Sequence, residues 1–360
     1  CICLICFILP ELMPTIQVIL DPPQSIYHPG DTVTGYVDLN LSKDKKINKV
    51  CLEAKGQAYV SFWHYHGKEN TCYSDKKTYL NHNLILWQKN EDKGEKEIPA
   101  GNSQYPFSFT IPFDVPPSFE DTHGHIRYKL KAELDIPWAL DKHGEVEITV
   151  GTPINLSIIP TYTEPRTAFI HHSNVFSSKE LDATITIPRV AWAADEMIPI
   201  HCNVTNNSSH DISAIEIKII KKANFSGQTV LGHHHRMTHE DNKKVHSMRF
   251  DTSIPSLASK QVQVDIQVPE NLVSITNCPI INVTYELEIE LHTTGVFSSC
   301  PSTCIPIVFS NIPLVQSLQY PQAPAIGMQP SPSGEDTAPS SPPMPPPLGE
   351  GTLPSFTPQD

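Results

Sequence analysis

Between residues 126 and 136, apolar and charged side chains alternate without a break. Ile126, Tyr128, Leu130, Ala132, Leu134 and Ile136 fall on one parity, and Arg127, Lys129, Lys131, Glu133 and Asp135 on the other. Successive side chains of an extended chain point to opposite faces. A period of two therefore describes an antiparallel strand with one face in a core and the other in water. Residues 283–291 repeat it, with Val283, Tyr285, Leu287, Ile289 and Leu291 against Thr284, Glu286, Glu288 and Glu290. Further strand-like stretches lie at 15–20, 32–41, 48–61, 78–87, 105–111, 144–150, 154–159, 182–190, 197–205, 212–222, 243–251, 260–268 and 304–309. Turn residues separate them, at Pro29-Gly30, Gly67, Asn90 to Gly94, Gly124, Asn206-Asn207 and Gly295. No segment offers three turns of helix with an apolar stripe. Short strands at regular spacing predict an all-β protein built of sandwiches.

The chain also resembles itself. At an offset of 165, Val33, Val37, Leu39, Ile47, Val50 and Leu52 fall on Ile198, Cys202, Val204, Ile212, Ile215 and Ile217. At 157, Ile111-Pro112 meets Val268-Pro269, and Tyr128, Leu130 and Leu134 meet Tyr285, Leu287 and Leu291. Two ungapped offsets in the same order are what a duplication with one loop deletion produces. Two homologous immunoglobulin-like sandwiches follow, over 13–160 and 175–312, with the junction in the region 160–180.

Composition fits two domains with independent cores, at 360 residues. The formal net charge of −13 makes nucleic acid an unexpected partner. No apolar run reaches the roughly 20 residues of a membrane-spanning helix. Nine scattered cysteines are too sparse for a disulfide scaffold and read as reduced thiols. Seven Asn-x-Ser/Thr sequons and the apolar run Ile2–Leu9 favour instead a secreted β-sandwich binding module. That run lacks a basic flank and a cleavage signal, so residues 1–12 are taken as a leader or artefact and Met13 as the start. Residues 321–360 hold twelve prolines and no basic residue. Residues 315–360 are expected to be a disordered, polyproline-prone tail.

Tyr27-His-Pro-Gly-Asp-Thr-Val-Thr-Gly35 resembles the opening of the arrestin fold. Tyr105-Pro-Phe-Ser-Phe-Thr-Ile-Pro112, Pro116-Pro-Ser-Phe119 and Gly124-His-Ile-Arg-Tyr-Lys-Leu-Lys-Ala132 are similar to the α-arrestins, the arrestin domain-containing proteins. Asn203-Val-Thr-Asn-Asn-Ser208 and Cys278-Pro-Ile-Ile-Asn-Val-Thr-Tyr285 match corresponding places in the second domain. The resemblance covers about 14–310. It implies two seven-stranded sandwiches packed side by side. It also implies a non-catalytic cytoplasmic adaptor, peripheral to the plasma membrane or endosomes, that links membrane-protein cargo to trafficking or ubiquitination machinery. The alternative on the same fold is a retromer-type or structural scaffold. The family's tail motif for WW domains, Pro-Pro-x-Tyr, does not occur in these 360 residues, so direct recruitment of WW ligases is not expected from them. The basic first strand of the phosphate-reading arrestins is also absent, since residues 15–20 carry no basic side chain. The C-domain cysteine of the thioredoxin-interacting relative has no counterpart between Cys202 and Cys278.

No nucleotide loop, Gly-x-Ser-x-Gly elbow or His-Glu-x-x-His appears, and no catalytic residue, cofactor or metal site is assigned. His233-His234-His235 and His239 read as a solvated loop, because consecutive strand side chains cannot converge on one ion. His64 and His66 share a parity near Cys72, but without a Cys-x-x-Cys pair they are not taken as zinc ligands. Cys300-Pro-Ser-Thr-Cys304 reads as a reduced turn. The candidate site is the loop 63–77 between two strong strands, offering His64, Tyr65, His66, Lys68, Lys76 and Lys77 to a partner. Its place corresponds to the receptor-engaging finger loop of the arrestins. A second candidate lies in the tail, where Pro342/Pro345 and Pro343/Pro346 form Pro-x-x-Pro spacings on one face of a polyproline helix.

Overall fold

The computed structural model describes residues 14–67, 69–90, 97–151, 159–173, 180–229, 235–294 and 300–311. Residues 1–12, Lys68, His233, His234, most of the predicted strand 154–159 and the whole tail, with Pro342, Pro343, Pro345 and Pro346, lie outside them.

The described residues are almost entirely strand, with one 3-10 turn at Pro160–Tyr162 and no α-helix. The first half contains β1 (Thr15–Leu20), β2 (Thr32–Leu41), β3 (Lys45–Lys46), β4 (Lys49–His66), β5 (Glu69–Gln88), β6 (Glu97–Ile98), β7 (Gly101–Thr110), β8 (Phe119–Glu120), β9 (Gly124–Asp135) and β10 (Lys142–Ile148). The second contains β11 (Arg166–Ser173), β12 (Glu180–Ile187), β13 (Ala191–Ala193), β14 (Met197–Asn206), β15 (Ile212–Thr229), β16 (Arg236–Ile254), β17 (Ala258–Gln267), β18 (Ile281–Thr293) and β19 (Ser302–Ser310). Each half folds as two facing sheets. In the first, β1-β2-β7 faces β10-β9-β4-β5; in the second, β11-β12-β14-β17 faces the sheet of β16, β15, β18, β19 and β13.

The alternation read from sequence is what fills the core. Along β9 every even residue from Gly124 to Leu134 is buried and every odd one is half-exposed, and β18 alternates in the same way from Ile281 to Leu291 with its odd residues buried. The charged parity forms ion pairs on the outer face, as between Lys129 and Glu147 at 2.8 Å. The duplication is visible in three dimensions. β2 and β14 coincide end to end at the offset of 165, and β7 and β17 at 157. All six residue pairs aligned at 165 are buried. Tyr128 and Tyr285 occupy corresponding places. The Tyr128 hydroxyl donates to the Pro116 carbonyl at 2.6 Å, and the Tyr285 hydroxyl bonds the backbone of Val273. Each partner lies twelve residues upstream.

Two features depart from expectation. The junction 160–180 contains β11, which pairs with β12 along its whole length as the edge strand of the second sandwich. And the sheets of the two halves are not separate. β5 pairs with Gln228 and Thr229 of β15, on the edge that β18 leaves at Phe225, so one sheet runs through both sandwiches.

Candidate interaction site

The segment Tyr59-Val-Ser-Phe-Trp-His-Tyr-His66 is β-branched and aromatic, a composition that favours strand. It forms no loop. β4 and β5 pair in register as far as His66 and Glu69, so residues 63–77 are the free end of one long hairpin. Gly67 makes the turn at φ 63°, a left-handed conformation that glycine adopts without strain.

Opposed residues of an antiparallel pair share a face, and this divides the predicted group. Tyr59, Trp63 and Tyr65 lie on one face, paired with Lys76, Cys72 and Asn70. All three aromatics are exposed, Trp63 by 57% and Tyr65 by 71%. His64 takes the other face with Phe62, and Lys77 lies opposite Ala58 on that same side. Tyr65 and Lys76 thus share a face but lie six residues apart along the hairpin, Lys76 beside Tyr59, whereas His64 and Lys77 are on the opposite face. His66 is in the strand. Cys72 points to the side opposite His64, so these two do not converge on an ion.

The inward face of the hairpin packs on the second sandwich. Phe62 and Tyr73 are buried and stacked, with ring centroids 5.6 Å apart. The His239 ring lies 5.4 Å from Phe62 and 4.2 Å from His123, which in turn lies 5.7 Å from Phe225. His239 therefore belongs to strand β16 at the seam and not to a solvated loop; its partner across β15 is Phe225. Burial, with His123 and His64 nearby, holds its imidazole below the usual histidine range. His235 is exposed, edge-on to Tyr73. Two ion pairs close the seam. Lys221 of β15 bonds the nearly buried Asp121 carboxylate, and Arg236 reaches Asp75 at 2.9 Å. Burial pushes the Asp121 carboxyl up, but Lys221 and the Thr122 N–H outweigh it and leave it below the usual carboxylate range. Beside the seam, a cleft of about 410 Å³ is lined by Arg127, Tyr128, Lys221 and Tyr285 among others.

One group escapes the sequence reading. Cys300 and Cys304 do not form a turn, since Cys304 lies in β19 and Cys300 two residues before it. Cys300 faces His292, and Glu290, His292 and Cys300 hold one donor atom each within 4.8 Å of one another. The only signal for this in the sequence is the Glu290/His292 spacing of two. The third member depends on strand register. No described cysteine forms a disulfide.

A twin β-sandwich with an exposed hairpin and a sheet continuous across the seam defines a class of two-lobed all-β proteins. The model for the arrestin (or S-antigen) N-terminal domain matches residues 16–157, and that for the C-terminal domain matches 177–314. The chain belongs to the arrestin family, among the arrestin domain-containing proteins. It is 27% identical to arrestin domain-containing protein 17 of Caenorhabditis elegans over 341 residues, spanning 90% of this chain and 78% of that protein. It is 23% identical to arrestin domain-containing protein 1 of Mus musculus over 336 residues, 91% of this chain and 70% of the relative. With mouse arrestin domain-containing protein 4 it shares 25% over 309 residues, 81% and 70%.

Proposed function

We propose that the chain is a non-catalytic adaptor that binds membrane-protein cargo through the free end of the β4–β5 hairpin and presents it to trafficking or ubiquitination machinery, on the cytoplasmic side of the plasma membrane or endosomes. On this reading the lobes are the segments 13–160 and 175–312, with β11 (Arg166–Ser173) added to the second. The observation that carries this reading is the row of Tyr59, Trp63 and Tyr65, exposed on one face beside Lys76, on a hairpin whose other face is fixed in the seam. Large amphipathic aromatics exposed on a rigid support are the residues that dominate protein interfaces. Among the described residues no helix is long and apolar enough to cross a membrane. Quantifying cell-surface proteins on expression of the chain tests the idea. The wild type should deplete a defined subset of membrane proteins. The double variant Trp63→Ser/Tyr65→Ser should leave that subset at control levels with its melting temperature unchanged. Equal depletion by both, or by neither, overturns the proposal.

A further inference from the structure

The outer face of the second sandwich carries a donor set that neither the fold nor the seam requires. On β18, Glu286, Glu288, Glu290 and His292 occupy one parity and so one face. Glu290 lies directly opposite Glu216 of β15. Two like charges in register repel, and a cation between strands relieves the repulsion. Lys218 supplies part of this, bonding Glu290 and reaching Glu288 at 3.5 Å. Arg249 of β16 lies opposite Glu216 on its other side, so three carboxylates face one ammonium and one guanidinium. On the other side, the β18–β19 register pairs Glu290 with Ser302, and carried two residues further it brings Cys300 beside His292.

We propose that Cys300, His292 and Glu290 are a zinc-binding site, with Glu216 orienting the imidazole. Three observations meet here. The Cys300 Sγ lies 3.6 Å from His292 Nδ1. Zinc–sulfur and zinc–nitrogen bonds of about 2.3 and 2.0–2.1 Å at a tetrahedral angle put sulfur and nitrogen about 3.6 Å apart. The other ring nitrogen, Nε2, lies 3.0 Å from Glu216 Oε2. A histidine that donates its second N–H to a carboxylate has its metal-facing nitrogen fixed in orientation and made more basic. All three donor atoms lie within 4.8 Å of one another, so small side-chain movements bring them onto one ion. The donors are one thiolate, one imidazole and one carboxylate, a set that suits zinc and not the all-oxygen shells of calcium or magnesium. On binding, the Cys300 S–H proton leaves to water and the S–Zn bond takes its place. The Glu290 carboxylate has two oxygens, one for Lys218 and one for the ion. Water completes the shell.

Cobalt(II) replaces zinc in such sites and reports a bound thiolate by its near-ultraviolet charge-transfer absorption. The titration uses the full chain carrying Cys1→Ser, Cys3→Ser and Cys6→Ser, so that the cysteine-rich N-terminus contributes no signal. One equivalent should bind and give the band, and Cys304→Ser should leave it unchanged. Cys300→Ser should abolish the band. Glu216→Gln should weaken the affinity by about ten- to a hundredfold, the usual effect of losing a carboxylate behind a ligating histidine. Zinc should raise the melting temperature of this protein and not that of the Cys300→Ser variant, a readout that stands even if His292 variants fold poorly. A charge-transfer band that survives Cys300→Ser, or a zinc-induced rise in melting temperature that is the same with and without Cys300, overturns the proposal.

Discussion

Tyr128 and Tyr285 carry the same load in the two halves. Each ring is buried on the core face of the strand that anchors its sandwich, and each hydroxyl bonds backbone twelve residues earlier. The ring of Tyr128 lies so close to the bulge in β4 that a Cβ on Gly56 would approach it to 2.4 Å, which explains glycine there. Tyr285 packs edge-on against Phe309 at 4.9 Å. We expect Tyr128→Ser and Tyr285→Ser each to cost about 2–5 kcal/mol, a cavity plus a stranded polar backbone group, measured by denaturant unfolding. Tyr→Phe at either place should cost only about 1 kcal/mol, the net value of one hydrogen bond. Asn206 shows residue chemistry of another kind. It begins one of the seven sequons, yet it is fully buried, with its amide donating to the carbonyls of His210, Ile254 and Pro255 and its oxygen accepting from Ser208. In the folded chain this asparagine braces a turn, and its side chain is not open to a glycosyl group.

At the scale of elements, the contact between β15 and the first sandwich rests on charge as well as backbone pairing. Removing the ammonium at 221 leaves Asp121, whose side chain is 8% exposed, without its counter-charge. Lys221→Met should cost about 3 kcal/mol, whereas Lys221→Met with Asp121→Leu should return close to wild type, because the buried pair roughly balances its own desolvation. A chemical melt of the single and double variants checks this. The strands β9 and β18 were legible from sequence because one parity is wholly apolar and the other wholly polar. The ends of the hairpins were not. Trp63, His64 and Tyr65 mix aromatic and polar character on both faces, since one face meets solvent and the other meets a second sandwich. β11 reads Arg-Thr-Ala-Phe-Ile-His-His-Ser, an edge strand with only Ile170 buried, so it carries no alternating signal. The cluster at Cys300 was hidden for a further reason. Glu290 and His292 share β18, but Cys300 and Glu216 reach them only through the register of other segments, which is not written in any one strand.

For the molecule as a whole, the seam is one place where acidity acts on stability. The His239 imidazole lies below the usual histidine range in the folded state, chiefly through burial. An unfolded histidine titrates near about 6.5. Between the two values the unfolded chain binds the extra proton, so stability falls as the pH drops through about 6.5. Asp121, also held below its ordinary value, adds a loss only in the lower carboxylate range. The groups facing His239 are His123 and His64, with Asp241 beyond. His239→Phe should flatten the loss of stability between about pH 7 and 5.5, read as melting temperature across that range. The continuous sheet has a further consequence. A strand edge with open N–H and C=O groups is a template on which other chains assemble. Here each half covers two residues of the other's: Tyr73 and Ser74 of the first are paired by Thr229 and Gln228 of the second, over buried Phe62 and Phe225. Cut apart, each sandwich would present an unfinished ladder beside bare aromatic rings, so the gene duplication joined two units that now keep one another from sticking to strangers.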